Sequence, residues 1–317
     1  MTTELKEALA GVVAESAAMR ELLPILARLA EAKSPVLLEG ESGTGKDLVA
    51  HWLHYGGPRR DGPLIKVHCP SIPGELLESE LFGHEKGAFT DARQAKAGKI
   101  EMAAQGTLYF DQVQDLSLAL QAKLLRVVEE RRFERLGGTR TLDVDVRFVA
   151  SSTQDLAEAV QAGRFREDLF HRLNVVRLKL APLRNRREDI LPLAGLFLAR
   201  ERERKATAAT GFAPDTAEAL KGYHWPGNVR ELRSVVERSA LYTAGETVPP
   251  SALPGHLLEQ PSVLWAGRDR RPTIKDVEQT YIRYVLDQVG GSQTRAAAIL
   301  GISRKALWEK RRRYGIR

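Results

Sequence analysis

The segment that most constrains this chain is GESGTGKD, which occupies positions 40–47. It follows an apolar run at 36–38, which predicts a buried strand, and it opens a helix at Lys46. Glycines let successive backbone N–H groups converge on a polyphosphate, the helix adds its positive dipole end, and the lysine reaches the outer phosphates. The sequence therefore predicts a phosphate-binding loop, with an ordinary glycine-rich turn as the alternative. The candidate ligand residues are Gly40, Glu41, Ser42, Gly43, Thr44, Gly45, Lys46 and Asp47.

Asp47 stands where such loops usually carry a Ser or Thr whose hydroxyl binds Mg²⁺. The metal must then rely on another carboxylate. Asp111 is the candidate, because it ends an apolar strand pattern at 106–110, and ligands gather at the C-terminal ends of strands in open α/β sheets. An aspartate that only caps a turn is the alternative. Polar residues 151–154 follow another apolar strand, and we predict that Thr153 senses the γ-phosphate.

Helix and strand patterns alternate through the first 180 residues. Apolar residues recur at helical spacing within 14–32, residues 64–68 alternate as a strand, and a helix over 116–131 precedes a strand at 146–150. This order predicts an α/β fold with a parallel sheet flanked by helices. The segment 75–92 lacks a sustained period, so we expect an exposed loop there.

Length and composition limit the class of protein. The chain has 317 residues, 43% of them hydrophobic, which allows two or three domains with ample cores. No run approaches the ~18 to 20 apolar residues of a membrane span, and the N-terminus lacks a signal-peptide core. We therefore expect a cytoplasmic protein with no membrane partner. The single cysteine, Cys69, is interpreted as a buried strand-end residue rather than a reactive thiol.

The positive charge is concentrated near the C-terminus. Residues 268–317 contain thirteen Lys or Arg and five Asp or Glu, so their net charge is +8. The net charge of the whole chain is +7, so residues 1–267 carry −1. Such a segment commonly meets nucleic acid, although a solvated basic face is the alternative. Residues 273–289 predict a helix that Gly290-Gly291 ends, and residues 293–300 predict a short second helix. Ser303 then caps a basic third helix at 304–314, which makes a helix-turn-helix.

Several motifs together resemble the AAA+ ATPase family of bacterial enhancer-binding activators that work with sigma-54 RNA polymerase. The motifs are GESGTGKD, ESELFGHEKGAFTDA, LLRVVEERRFERLGGTR, GRFREDLFHRLNVVRLKLAPLRNRREDI and WPGNVRELRSVVERS, in that order. The C-terminal segment is similar to the Fis-type module of the same activators. The resemblance implies an AAA+ P-loop NTPase with an α-helical lid, followed by an all-α DNA-binding domain. We expect these domains at 1–180, 181–245 and 273–317, with a proline-rich linker at 246–272.

The resemblance also implies partners and roles. It implies a homo-oligomer, from dimer to hexamer, that binds ATP and Mg²⁺ between subunits and remodels sigma-54 polymerase. Arg166 and Arg172 match the arginines that reach a neighbour's nucleotide, and Arg230 matches the arginine of the lid. Without the family, the first two would be ordinary ion-paired surface residues. The sigma-contacting loop matches Gly87, Ala88, Phe89, Thr90, Asp91 and Ala92.

The third helix of the Fis-type module implies binding to double-stranded DNA at an enhancer, with a palindromic site. Its N-terminal half is expected to read bases, and its C-terminal half to contact phosphates. Arg311 shares a face with Leu307 and Tyr314, so its stem is expected to pack. The candidate DNA-binding residues are Ser303, Arg304, Lys305, Trp308, Lys310, Arg311 and Arg312.

Departures from the family pattern cluster around the γ-phosphate. Gln112 stands where the family has a glutamate that polarises the attacking water, and an amide cannot accept that proton. His68 replaces the usual asparagine; it is a substitute base or, as is commoner at a strand end, a hydrogen-bonded structural residue. Gln154 stands where a second sensing asparagine is expected. A further departure lies in the sigma-contacting loop, where Asp91 replaces a glycine.

Two functions from different classes remain open. The first is a mechanochemical ATPase that remodels sigma-54 polymerase, favoured by Lys46, Asp111 and the paired arginines. The second is a DNA-binding regulator that uses ATP as an assembly switch but hydrolyses it poorly, favoured by Gln112 and His68. A metabolic P-loop kinase is a weaker third, because it leaves the basic C-terminal segment unexplained. About a dozen residues precede the ATPase pattern, so we expect no N-terminal receiver domain.

Overall fold

The computed structural model describes residues 13–71, 74–89, 92–258, 273–289 and 292–316. The chain divides into two units. The first runs to Arg204 and includes Trp225–Glu237; the second contains Lys205–His224 and the residues from Arg238 onward. Each unit is considered separately.

The helices longer than one 3₁₀ turn and the strands follow in chain order: α1 Ala17–Glu31, β1 Val36–Glu39, α2 Lys46–Tyr55, β2 Leu64–His68, α3 Gly74–Phe82, β3 Gly83–His84, β4 Lys96–Ala97, α4 Lys99–Met102, β5 Thr107–Asp111, α5 Leu118–Glu130, β6 Arg132–Glu134, β7 Thr141–Asp143, β8 Arg147–Ser152, α6 Leu156–Gln161, α7 Glu167–Leu173, β9 Val176–Lys179, α8 Ile190–Glu203, β10 Gly211–Phe212, α9 Pro214–Gly222, α10 Asn228–Leu241, β11 Thr247–Val248, α11 Gly255–Leu258, α12 Ile274–Gln288, α13 Gln293–Leu300 and α14 Arg304–Tyr314.

The first unit is built on a five-stranded parallel sheet in the order β2-β5-β8-β1-β9. Alternate residues of each strand face opposite sides, so two apolar cores form. Leu37 and Phe110 pack in one core, and Leu38 and Tyr109 pack in the other. Because helices cover both faces, the inner strands are mostly apolar, and every residue of β1 is buried, including Glu39. The predicted α/β class with a parallel sheet is confirmed.

The prediction of an exposed loop over 75–92 is wrong for the first half of that segment. Residues 74–82 form α3, and 83–84 pair with 96–97 as an antiparallel ribbon. Leu77 and Leu81, one helical turn apart, are 2% and 1% exposed, so their burial stabilises a helix too short to show a clear period in sequence.

The second unit contains short elements and the C-terminal helices. Strands β10 and β11 pair in parallel, and the Thr216 hydroxyl donates to the Val248 carbonyl at 2.9 Å. Helices α12, α13 and α14 share an apolar core that includes Ile282, Leu286 and Leu307. The predicted helix-turn-helix is present in the described residues, with Gly301 at φ +66° in the turn. The expected end of its first helix at Gly290-Gly291 lies outside the described residues.

Part of the segment predicted as a linker, 246–272, is folded in the structure. Residues 247–258 contribute β11 and α11, and Val248 and Leu257 are buried, so this stretch is packed chain rather than spacer. Residues 259–272 lie outside the described part. Among the helices of the described residues, none is both long and apolar enough to cross a membrane.

Candidate functional site

The loop between β1 and α2 has the backbone conformation that its glycines permit. Gly43 and Gly45 have φ values of +78° and +107°, which residues with a Cβ rarely adopt. A Cβ on Gly43 would lie 2.3 Å from the Gly227 carbonyl oxygen, so this position has no room for a side chain. The Thr44 hydroxyl closes the loop by donating to the Glu41 carbonyl at 2.8 Å. The loop is therefore a fixed turn that ends at the N-terminus of α2.

Lys46 is the first residue of α2, and its side chain folds back over this loop. Its Nζ donates to the carbonyls of Gly40 at 2.6 Å and Glu41 at 2.9 Å, and the residue is 7% exposed. Burial lowers the pKa of Lys46, while the nearby carboxylates of Asp111 and Asp47 oppose that shift. The ammonium thus lies at the mouth of the loop, and its contact with phosphates stays a prediction.

Glu41 and Ser42 anchor the loop to a later segment. Arg184 donates two hydrogen bonds to the Glu41 carboxylate, which lowers the pKa of Glu41 against the effect of burial. Asn228 Nδ2 donates to Glu41 Oε2 at 3.1 Å, and Arg230 donates to the Ser42 hydroxyl at 2.8 Å. Arg230 was predicted as a ligand residue, but Arg184 and Asn228 were not, because no local pattern links them to the loop.

The pairing of β2 with β5 brings polar side chains to one edge of the sheet. The register sets Lys66 beside Tyr109 and His68 beside Asp111. His68 Nδ1 lies 2.9 Å from Asp111 Oδ2, and the Ser151 hydroxyl donates to Asp111 Oδ1 at 2.8 Å. Burial opposes ionisation of Asp111, but bonds from Ser151 and Lys66 outweigh it, so its pKa lies below its ordinary value.

Asp47 also turns towards this edge. Its Oδ2 lies 2.7 Å from Lys66 Nζ, and its Oδ1 accepts from the Tyr109 hydroxyl at 2.8 Å. Sequence reasoning missed Lys66 and Tyr109. The strand alternation puts Lys66 on the same face as His68, and this was the signal that could have found it.

Gln112 follows Asp111 in a left-handed conformation, with φ +62° and ψ +56°. Its N–H donates to the Ser151 hydroxyl at 3.1 Å. Thr153 accepts at Oγ1 from Gln114 Nε2 at 3.1 Å. Gln112 and Thr153 both line the cleft described next, whereas the Gln154 backbone bonds back to Ser152.

These residues surround an open cleft of about 720 Å³. Its lining contains most of the predicted phosphate-loop residues, together with cationic side chains that the sequence did not single out. The lining residues are Ser42, Gly43, Gly45, Lys46, Asp47, Leu48, Lys66, His68, Asp111, Gln112, Thr153, Phe197, Arg200, Val229, Arg230 and Arg233. Five Lys or Arg side chains against two carboxylates make the cleft suitable for a polyanion of nucleotide size.

Arg166 and Arg172 do not line this cleft. Arg166 donates two bonds to Asp168 at 3.1 and 2.7 Å, and Arg172 donates to Glu129 at 2.6 Å. Both side chains are substantially exposed, at 41% and 59%. Within one chain they are ion-paired surface residues.

The predicted sigma-contacting loop is described only in part, since Thr90 and Asp91 lie outside the described residues. Phe89 is 42% exposed, and its ring meets His84 edge to face at a centroid distance of 4.9 Å. Gly87 N–H donates to the Ala92 carbonyl at 2.8 Å, which closes the base of the loop, and Ala88 N–H donates to the Glu85 carbonyl. The loop therefore presents an aromatic residue on a narrow base.

The basic face of α14 is set by its cap and its core contacts. Ser303 accepts from the Ala306 N–H at 3.1 Å, and Leu307 is fully buried. The base-reading candidates Arg304, Lys305 and Trp308 are exposed, and Trp308 lies under the Arg312 guanidinium at 5.7 Å. Arg311 is half-buried, and the packing of its stem stays a prediction.

Lys310, a predicted DNA-binding residue, pairs with Glu278 of α12. The same carboxylate accepts from the Tyr314 hydroxyl. These bonds from Lys310 and Tyr314 lower the pKa of Glu278. Lys310 thus helps to join α12 and α14.

Comparison with known families assigns all three regions. Residues 12–179 match the sigma-54 interaction domain, 184–265 match the AAA+ ATPase lid domain, and 273–314 match the bacterial regulatory protein, Fis family.

Relatives share nearly the whole chain. It is 46% identical to the transcriptional regulatory protein ZraR of Klebsiella oxytoca over 97% of this chain and 70% of that protein. It is 45% identical to the regulatory protein AtoC of Escherichia coli strain K12, over 96% of this chain and 68% of that protein.

Solved structures agree with this assignment. NtrX from Brucella abortus, crystallised in complex with ATP, superposes with a TM-score of 0.74 at 34% identity, over 99% of this chain and 72% of that one. The domain order, the relatives and the fold agree, and the chain belongs to the AAA+ family of sigma-54-dependent transcriptional regulators with a Fis-type DNA-binding domain.

Proposed function

We propose that the cleft binds ATP and that the bound nucleotide controls how this regulator engages sigma-54 polymerase. The observation that carries the proposal is the convergence of Lys46, Asp111 and Arg230 on one cleft beside a glycine loop. Backbone N–H groups and Lys46 bind the phosphates, and Arg230 adds a guanidinium from α10.

Mg²⁺ fits the donors that the cleft offers. Asp47 and Asp111 both direct carboxylate oxygens to the same edge, and Mg²⁺ is usually held by one or two carboxylates together with substrate phosphates. No group of three or more His, Cys, Asp or Glu able to hold a metal occurs in the part of the chain that the structure describes. The ion would therefore arrive with the nucleotide, and it would neutralise phosphate charge.

Hydrolysis depends on what activates the attacking water. Gln112 can orient a water molecule through its amide but cannot accept a proton, and His68 Nδ1 is engaged by Asp111. These two observations favour a second candidate, a DNA-binding regulator that uses ATP as an assembly switch and turns it over slowly. Loss of a general base commonly costs ~10² to 10⁴ in rate, although small GTPases position water with a glutamine.

Arg166 and Arg172 support an oligomeric form of either function. Their present partners, Asp168 and Glu129, are exposed, and exposed ion pairs contribute little to stability. The phosphates of a nucleotide bound to a neighbouring subunit can therefore replace these carboxylates as partners of both guanidinium groups. An arginine supplied in trans stabilises charge in the transition state and couples turnover to ring assembly. We propose that Phe89, with Thr90, contacts sigma-54, and that α14 binds a palindromic double-stranded DNA site.

The deciding experiment measures steady-state ATPase activity and ATP affinity on the same preparations of wild type, Lys46→Ala and Gln112→Glu. Lys46→Ala should lose nucleotide binding. If Gln112→Glu hydrolyses at least roughly tenfold faster with little change in affinity, the missing carboxylate limits turnover and the switch function is supported. A wild-type rate near ~1 s⁻¹ per subunit that Gln112→Glu leaves unchanged would instead support the remodelling ATPase.

The sigma-54 contact needs its own test. Asp91 places a carboxylate in the loop beside Phe89, and we expect Asp91→Gly to strengthen nucleotide-dependent sigma-54 binding. Equal retention of sigma-54 by both proteins in the presence of an ATP transition-state analogue would contradict this expectation.

A further inference from the structure

Lys66 is held between the two carboxylates of the cleft. Its Nζ lies 2.7 Å from Asp47 Oδ2 and 3.1 Å from Asp111 Oδ2. The oxygens suited to Mg²⁺ are therefore already neutralised by an ammonium of the chain itself.

The fold positions this lysine firmly. It lies in the middle of β2, in register with Tyr109 of β5, and its Nζ is 5.4 Å from the centre of that ring. The Tyr109 hydroxyl donates to Asp47 Oδ1 and so orients the carboxylate towards Lys66. Strand register and the buried Tyr109 ring thus position both partners, whose side chains are 36% and 51% exposed for Lys66 and Asp47.

The charge balance gives this arrangement a consequence for ligand binding. Asp47 and Asp111 together carry −2 near the phosphate loop, and Lys46 supplies only +1. Lys66 brings this group of four residues to neutrality, so phosphates can approach without a divalent ion. Removing Lys66 would leave Asp47 Oδ2 and Asp111 Oδ2 without the ammonium that lies between them, and Mg²⁺ would have to take its place when phosphates bind.

We propose that Lys66 is a built-in counter-ion that makes nucleotide binding in this cleft largely independent of Mg²⁺. The inference rests on the nucleotide binding proposed above and adds a specific role for one residue of the cleft. A purely structural salt bridge would affect stability, but it would not change how nucleotide affinity responds to the metal.

The test measures the dissociation constant of a fluorescent ADP in buffer with Mg²⁺ and in buffer with EDTA. The ratio is the value in EDTA divided by the value in Mg²⁺. ADP avoids any contribution from turnover. Wild type should show a ratio below roughly threefold, whereas Lys66→Met should raise the ratio about tenfold or more, chiefly by weakening binding in EDTA. Lys66→Arg keeps the charge and should resemble wild type. Lys123→Met is the matched control, because it removes a charge that pairs with Glu78 and does not line the cleft.

The outcomes separate this inference from the function on which it rests. A wild-type ratio of tenfold or more overturns the counter-ion role even if no variant folds, and it leaves nucleotide binding intact. An unchanged ratio in folded Lys66→Met also overturns it. Failure of wild type to bind ADP in either buffer would overturn both proposals.

Discussion

Asn228 shows how much one buried side chain can organise. It is fully buried, its Nδ2 donates to Glu41 Oε2 and the Ser42 carbonyl, and its Oδ1 accepts from the Leu183 N–H at 2.7 Å. Its φ of +52° is a conformation that asparagine tolerates better than most residues. The amide thus holds the phosphate loop against the segment that follows the sheet.

We expect Asn228→Ala to lower the free energy of unfolding by about 2 to 4 kcal/mol and to weaken nucleotide binding. The change removes three hydrogen bonds, leaves the Leu183 N–H without its acceptor, and strains the backbone. Asn228→Gly relieves the backbone but still lacks the bonds, so it should recover only about 1 kcal/mol. Urea denaturation checks both values, and a loss below ~0.5 kcal/mol in the alanine variant would contradict the assignment.

Sequence reasoning located some site residues and missed others for a physical reason. Lys46 and Asp111 were predicted because each belongs to a local pattern that binds phosphate or metal, Lys46 at the start of α2 and Asp111 at the end of β5. Lys66, Arg184 and Asn228 act through contacts between segments distant in sequence. No local pattern gives the register of β2 on β5 or the approach of residue 228 to residue 41, so these contacts became evident only in the fold.

At the scale of elements, Arg147 joins two helices to the sheet. It begins β8, is 3% exposed, and donates to the carbonyls of Ala30 at 2.9 Å and Leu53 at 2.8 Å, near the C-terminal ends of α1 and α2. A third bond reaches Leu29. Burial lowers the pKa of Arg147 to about 10, so the guanidinium remains charged at neutral pH and interacts favourably with both helix ends.

Replacing Arg147 with Met should lower the free energy of unfolding by roughly 2 to 4 kcal/mol, because three buried carbonyls lose their donor. Arg147→Lys retains the charge but cannot reach all three, and it should fall between wild type and the methionine variant. Denaturant unfolding of the three proteins is the measurement. A methionine variant as stable as wild type would mean that the desolvation cost of the charge cancels its bonds.

Elements were predicted best where burial imposes a uniform pattern. Strands β1, β5 and β8 each contain at least three consecutive apolar residues because helices cover both faces of the sheet. Helix α3 was missed because its three buried apolar residues, Leu77, Leu81 and Phe82, are too few to show a clear helical period, and the glycines that follow resemble a loop. The helices α12 to α14 were predicted within a residue or two, since Ser303 and Gly301 define the turn between the last two.

At the scale of the whole molecule, acid should destabilise the fold partly through His54. This side chain is 1% exposed, its Nδ1 lies 2.9 Å from the Thr107 hydroxyl oxygen, and burial lowers its pKa to about 4. The folded pKa lies below the ordinary value, so the full contribution is present above about pH 6.5 and is lost as pH falls towards 4.

Between pH 7 and pH 5, His54 should account for about 2 kcal/mol of lost stability. His54→Gln should therefore show a shallower fall in unfolding free energy over this range, whatever its stability at pH 7. If the unfolding free energies of the two proteins fell in parallel from pH 7 to pH 5, His54 would not be responsible for the loss of stability.

Deleting residues 273–317 should abolish specific DNA binding and leave nucleotide binding intact. The helices α12 to α14 have an apolar core of their own, and residues 268–317 carry the positive charge of the chain. Footprinting and ADP titration of the truncated protein check the two halves of the prediction. Affinity of the full chain for DNA should also fall steeply with salt, because several Lys and Arg displace counterions.

The strand order has a consequence for the time course of synthesis. Strand β1 pairs with β8 and β9, whose first residues lie more than 100 positions later in the chain. The ribosome releases the chain from its N-terminus, so β1 has no partners while β2 and β5 emerge and pair with each other. Nascent chains should stay sensitive to protease until about residue 179 has left the exit tunnel, and early resistance of chains stalled before β8 would show that another pairing comes first. Until then the phosphate loop lacks the neighbouring strands that position it, and β1 stays open to contacts with other molecules.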